Sequence, residues 1–128
     1  MKILGIGVDI VENKRIQKSI KNPLFKKRIY TSKELKQSYT VNNKVAYFSK
    51  RFAAKEAFSK ALGTGFRINL NFKDIEIIND KMGKPNYVKN KKISKIIQKN
   101  FKIKNYKCFL SISDEKNNSI AFTIISTN

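Results

Sequence analysis

Histidine and tryptophan are absent from the 128 residues, cysteine occurs once, and acidic residues number only nine. Without histidine no imidazole can act as general base or metal ligand, which removes Ser–His–Asp hydrolysis and His-ligated metal chemistry together. The lone Cys108 excludes an internal disulfide framework and fits a reducing compartment, so a cytoplasmic chain is expected. The longest uncharged run, 117–128, is 12 residues and Asn-rich. At the amino end Ile3–Val8 is six uncharged residues holding two glycines and ended by Asp9. Neither segment reads as a membrane span or a signal peptide. No metal-ligand cysteine spacing, Gly-x4-Gly-Lys-Ser/Thr phosphate loop, internal repeat or linker is present, and one domain covering 1–128 is expected.

Positive charge is abundant instead: 28 Lys and Arg against the nine acids, a formal +19. Such a balance calls for an acidic partner, whether protein, membrane surface or nucleic acid. The charge is uneven. Residues 14–36 hold nine basic residues and one acid, and residues 81–107 hold ten and none. Lysine, asparagine and isoleucine supply 24, 14 and 18 residues, a mix expected of an AT-rich genome, so part of the charge is background. Only four arginines occur, Arg15, Arg28, Arg51 and Arg67, and each is a candidate for a role needing a planar fork. A non-enzymatic nucleic-acid-binding module is the alternative reading of +19. Against it, no RNP-like motif appears and aromatic residues do not interleave with the basic runs.

Periodicity predicts a strand over Ile3–Ile10, with Leu4, Ile6, Val8 and Ile10 on one face and Gly5, Gly7 and Asp9 on the other. A short basic helix follows at 13–21, then a break at Asn22-Pro23 and a basic amphipathic turn to Tyr30. Thr31-Ser-Lys-Glu34 is a capping box opening another helix. The strongest helix is 45–62, ended by Gly63. Residues 68–79 have strand character, 82–85 form a turn, and Tyr87-Val88 is expected to pair back. An amphipathic helix spans 91–104, and two last strands, 107–113 and 119–126, flank a turn. The expected fold is α+β, helices packed on a small, mostly antiparallel sheet.

Two groups of residues carry chemistry. Asp9 is either a helix cap or a metal carboxylate, and Gly5 and Gly7 either allow close backbone packing or leave space for a ligand. Glu56 and Lys60 stand one helical turn apart, the spacing of an ordinary ion pair worth ~0.3–0.5 kcal/mol. The surrounding helix is Phe- and Ala-rich, however, and a charged pair on a mostly buried helix points to a task. Ser111 and Ser113 share a face at a strand end.

In order and spacing, Gly5-Ile-Gly-Val-Asp9-Ile-Val-Glu12 with Arg15-Ile16, Arg28-Ile-Tyr-Thr31-Ser-Lys-Glu34, Phe48-Ser-Lys-Arg51-Phe-Ala-Ala-Lys55-Glu56-Ala-Phe-Ser-Lys60-Ala-Leu-Gly63-Thr-Gly65, Asp74–Asp80 and Gly83-Lys-Pro85 resemble the holo-[acyl-carrier-protein] synthase family of 4′-phosphopantetheinyl transferases. The resemblance implies that fold, and transfer of the phosphopantetheine arm of coenzyme A to a serine of apo acyl carrier protein in fatty acid biosynthesis. It implies Mg²⁺ on Asp9 and Glu56, with Lys60 at the leaving phosphate and Glu56 helping to deprotonate the serine. Arg51, Lys55 and Lys60 are implied toward coenzyme A phosphates, and Gly63, Thr64, Gly65, Lys84, Pro85 and Ser113 near its nucleotide. Arg15, Phe25 and Arg28 match a docking region for the acidic carrier. A homotrimer with active sites between protomers is also implied. Relatives carry His or an acid where this chain has Asp114, which leaves that residue's role open.

Overall fold

The computed structural model describes every residue, Met1–Asn128. Its centre is a three-stranded antiparallel sheet in the order β1-β5-β4, built from β1 (Ile3–Glu12), β5 (Asn118–Thr127) and β4 (Tyr106–Asp114). One helix, α4 (Lys44–Leu62), lies across a single face of it. Small residues set that contact: Ala53, Ala54, Ala57 and Ala61 of α4 are buried, and Gly5 and Gly7 of β1 face them. A Cβ built on Gly5 would sit 1.9 Å from the Ala61 carbonyl oxygen, and one on Gly7 equally close to that of Ala57. The glycines therefore admit the helix backbone, and the expected ligand space beside Asp9 is filled by α4. Side-chain alternation along β1 is as expected, but the glycine face is the inner one.

The opposite face of the sheet is apolar and exposed. Register aligns Ile6, Ile124 and Phe109 in one row, Val8, Phe122 and Ser111 in the next, and Ile10, Ile120 and Ser113 in a third. Ile6, Val8, Ile10, Phe109, Ile120 and Phe122 are all exposed, between 39% and 63%.

Local signals explain most helix boundaries. Thr31 and Glu34 form a reciprocal capping box on α3 (Ser32–Ser38), Asn43 caps α4, and Gly63 closes α4 in the left-handed region at φ 80°. A short helix, α1 (Asn13–Ser19), follows β1. The expected turn after Pro23 is a two-turn helix, α2 (Pro23–Ile29), because Asn22 accepts from the Leu24 N–H and Pro23 occupies the first turn. The last helix, α5 (Lys91–Phe101), stops three residues short of expectation, at Lys102 in the left-handed region.

Residues 68–79 depart furthest from expectation. Ile68 and Asn69 take positive φ, 56° and 63°, and Phe72–Asp74 is a 3-10 turn. Only Ile77–Asn79 is a strand (β2), paired with β3 (Pro85–Tyr87) in a separate hairpin. Side-chain bonds to the backbone, such as Asn71 N–H to Asp74 Oδ2 at 2.8 Å, displace the ladder here. One core of 22 buried apolar residues joins both sheets to α1, α2, α4 and α5. No helix is long and apolar enough to cross a membrane.

Candidate active site

Strand β1 and helix α4 place Asp9, Glu56 and Lys60 along one seam. Lys60 Nζ donates to Asp9 Oδ1 at 3.1 Å and to the Val8 carbonyl at 3.0 Å. The lysine thus reaches across to the strand, and the simple Glu56–Lys60 helical pair does not form. Glu56 is half-buried and pairs with no cation of the chain. Burial raises its pKa above the ordinary carboxylate value, the Asp9 charge raises it further, and Lys60 and Arg15 pull against both. Two neighbouring carboxylates, one unpaired and disfavoured as an anion, form an oxygen donor set suited to a hard divalent cation. No cluster of three or more acidic, Cys or His ligands exists, so such a cation would be completed by substrate phosphates and water.

The other expected site residues divide. Gly63 and Gly65 both take positive φ, and a side chain at either would meet nothing within 4 Å, so the loop after α4 is open to an approaching molecule. Lys84 lines a hollow of about 510 Å³ with Asn86, Phe109, Ser111, Phe122 and others, at the β4 side of the exposed sheet face. Ser113 is exposed on that face, and Pro85 begins β3. Asp9 faces the opposite side of the sheet, so within one chain these residues do not converge. Asp114 lies 3.9 Å from Lys50, both partly exposed.

Two of the residues expected near coenzyme A are buried in the single chain. Lys55, expected toward phosphates, has no exposed surface: its ammonium donates to Glu34 Oε1 at 2.6 Å, to the Ile75 carbonyl at 2.6 Å and to the Phe72 carbonyl at 3.2 Å. All three N–H bonds are used, so none is left for a ligand. Arg51 is 3% exposed, stacks on the Tyr47 ring at 3.9 Å and reaches Gln37 and Asn79. On α2 the expected apolar residue also turns inward. Phe25 packs inward on Phe52 and Tyr30, whereas Leu24 is 74% exposed between the basic positions. Arg15 and Arg28 are exposed.

Sequence reasoning missed Asn13. Its amide donates to the Glu115 and Lys116 carbonyls at 3.0 and 3.2 Å and accepts from Ser119 at 2.8 Å, fixing the β4–β5 turn to the start of α1. An Asn followed by a basic helix gave no hint of a partner a hundred residues away.

Comparison with known proteins gives the family and agrees with the fold. The profile of the 4′-phosphopantetheinyl transferase superfamily matches residues 5–123. A protein of Pelagibacter ubique named holo-[acyl-carrier-protein] synthase is 62% identical over 125 residues, 98% of each chain. The crystal structure of the Neisseria meningitidis synthase superposes with a TM-score of 0.88 at 39% identity, covering 98% of this chain and 99% of that one. The Bacillus anthracis synthase, solved in complex with coenzyme A (3′,5′-ADP), gives 0.82 at 33% identity over the whole of both chains.

Proposed function

The chain belongs to the 4′-phosphopantetheinyl transferase superfamily, and on that premise we propose that it moves the phosphopantetheine arm of coenzyme A onto a serine of an acidic acyl carrier protein, in the cytoplasm and in support of fatty acid synthesis. The observation that carries the reading is the seam of Asp9, Lys60 and Glu56 between β1 and α4. Asp9 and Glu56 would hold Mg²⁺, which when bound neutralises the charge of the pyrophosphate. Glu56 accepts the proton of the carrier serine as its oxygen attacks the phosphorus bearing the pantetheine arm. The bond from that phosphorus to the bridging oxygen breaks, and adenosine 3′,5′-bisphosphate leaves. Lys60 donates an N–H to the departing phosphate oxygen, and Asp9 keeps it aimed there. Arg15 and Arg28, with the exposed Leu24 between them, offer the basic and apolar surface an acidic carrier needs.

Mass spectrometry of apo carrier protein incubated with the chain, coenzyme A and Mg²⁺ tests this directly. The carrier mass is expected to rise by one phosphopantetheine group, and chelation of the metal to prevent it. An unmodified carrier beside an active control synthase would refute the reading.

We infer further that the chain acts as a trimer. The support is the exposed apolar sheet face, together with Lys84, Pro85 and Ser113 lying away from Asp9 within one chain. A face of six exposed large apolar side chains exceeds what an isolated soluble chain usually leaves uncovered. Phe122→Lys is expected to convert the trimer to monomer in sedimentation at micromolar concentration, with transfer lost alongside. A monomeric wild-type chain would refute the assembly.

A further inference from the structure

Outside the seam, the most heavily bonded group in the molecule is the buried pair Glu34–Lys55. Both side chains have no exposed surface. Each carboxylate oxygen and each ammonium N–H is used. Glu34 Oε1 accepts from Lys55 and from the Thr31 N–H at 2.9 Å, and Oε2 accepts from the Ile77 N–H at 2.9 Å. Lys55 donates to the carbonyls of Phe72 and Ile75. Three backbone groups between 72 and 77 are therefore tied to one ion pair, whose halves belong to α3 and α4. That stretch has little regular structure of its own. It follows the positive-φ residues Ile68 and Asn69 and leads into the hairpin carrying Lys84 and Pro85. Phe72, whose carbonyl is held by Lys55, stacks at 3.8 Å on Phe66, which follows Gly65 directly.

A buried ion pair brings little net stability over an apolar pair of the same volume, because desolvating two charges offsets their attraction. What it offers is direction: three bonds of fixed geometry to a segment that hydrophobic contact alone would let slide. We propose that Glu34 and Lys55 are positioning residues for the nucleotide half of coenzyme A. They hold the 66–79 segment so that the Gly63–Gly65 loop before it and the Lys84–Pro85 turn after it each keep one fixed position. The proposal rests on the coenzyme A reading above for its ligand, but not for its structural half.

Two measurements separate the parts. Hydrogen exchange on the ligand-free chain is expected to speed up across 66–79 in Lys55→Met and in Glu34→Gln, with β1, β5 and α4 protected as in wild type. Uniform loosening, or unchanged exchange at Ile77, would overturn the positioning role whether or not the chain is a transferase. In steady-state assays both variants are expected to raise KM for coenzyme A on the order of tenfold, as small misplacements do, with kcat and the KM for carrier little changed. Dephospho-coenzyme A should suffer the same factor as coenzyme A. Loss of discrimination between the two in Lys55→Met alone would mean that Lys55 touches the 3′-phosphate itself, against the proposal. The paired exchange Glu34→Leu with Lys55→Met removes the side-chain partners of Thr31 N–H, Ile77 N–H and the Phe72 and Ile75 carbonyls, so it should fold with a lowered thermal midpoint and still show the raised KM. Recovery of a normal KM in that pair would overturn the proposal.

Discussion

Glu56→Gln is expected to lower transfer by about 10³-fold or more, the range set by losing a charged catalytic group in a phosphoryl-type displacement, while the folded chain becomes more stable. The two effects share one cause. Glu56 is held beside Asp9 in a half-buried seam where its anion is disfavoured, and the chain supplies no cation of its own to pair with it. An amide keeps the shape and removes both the proton acceptor and the charge that would bind Mg²⁺. The sign of the stability change follows from linkage. Because the folded-state pKa lies above the unfolded one, Glu56 weakens folding only once it ionises. Its contribution is intact below the ordinary carboxylate pKa and is lost as pH rises through the raised folded value. Glu56→Gln and wild type should therefore melt alike at about pH 4 and diverge at about pH 8, with the variant melting higher in chelator. Mg²⁺ should then raise the wild-type midpoint and leave that of the variant unmoved. A variant that melts lower at alkaline pH would show Glu56 making a stabilising contact that the ligand-free seam does not contain.

Adjacent residues in α4 show what the sequence could and could not tell. Lys55 and Glu56 are neighbours in a run that reads as functional, yet one is sealed in the core and the other lines the seam. Helical periodicity gives each an angle, but not which angle meets Glu34. That partner is set by how α3 lies against α4, a tertiary fact. Capping was legible because it is local: Thr31 with Glu34, Asn43 and Gly63 act within four residues. Segment 68–79 misled for the opposite reason. Its isoleucines suggest a strand, while Asn71 and Asp74 bond the backbone into a turn, and only three residues retain a ladder. In β1 the alternation was legible and the choice of buried face was not. Apolar residues on one face of a strand say nothing of which partner covers them, and here the helix takes the glycine face and leaves the apolar one outward. The seam itself joins positions far apart in the chain, and residue spacing offered no route to it; the family resemblance did.

The glycine face also sets the largest expected loss of stability. Gly7→Ala places a methyl 1.9 Å from the Ala57 carbonyl oxygen and 2.7 Å from the Ala61 amide nitrogen, both backbone atoms of a helix that cannot rotate aside. Relief requires α4 to lift from the sheet, loosening a core that includes the buried Ala53, Ala57, Ala61 and Ala121. Overpacking of a tight core costs about 1–3 kcal/mol and more where backbone must move, so about 3 kcal/mol or more is expected, a fall of roughly 10 °C in thermal midpoint for a chain of this size. Asp9 lies two residues further along the same face, so lifting α4 also breaks the Lys60–Asp9 bond, and transfer should fail in whatever fraction remains folded. Gly83→Ala is the matched control: its φ of 86° strains an alanine by about 1–2 kcal/mol, but nothing lies within 4 Å of the added carbon. Calorimetry on the two variants separates collision from strain. Trimming Ala57 to glycine should give no rescue, since the obstructing atom is its carbonyl oxygen and not its side chain. Recovery of Gly7→Ala by Ala57→Gly would mean that side chains, and not the backbone, set the distance between β1 and α4.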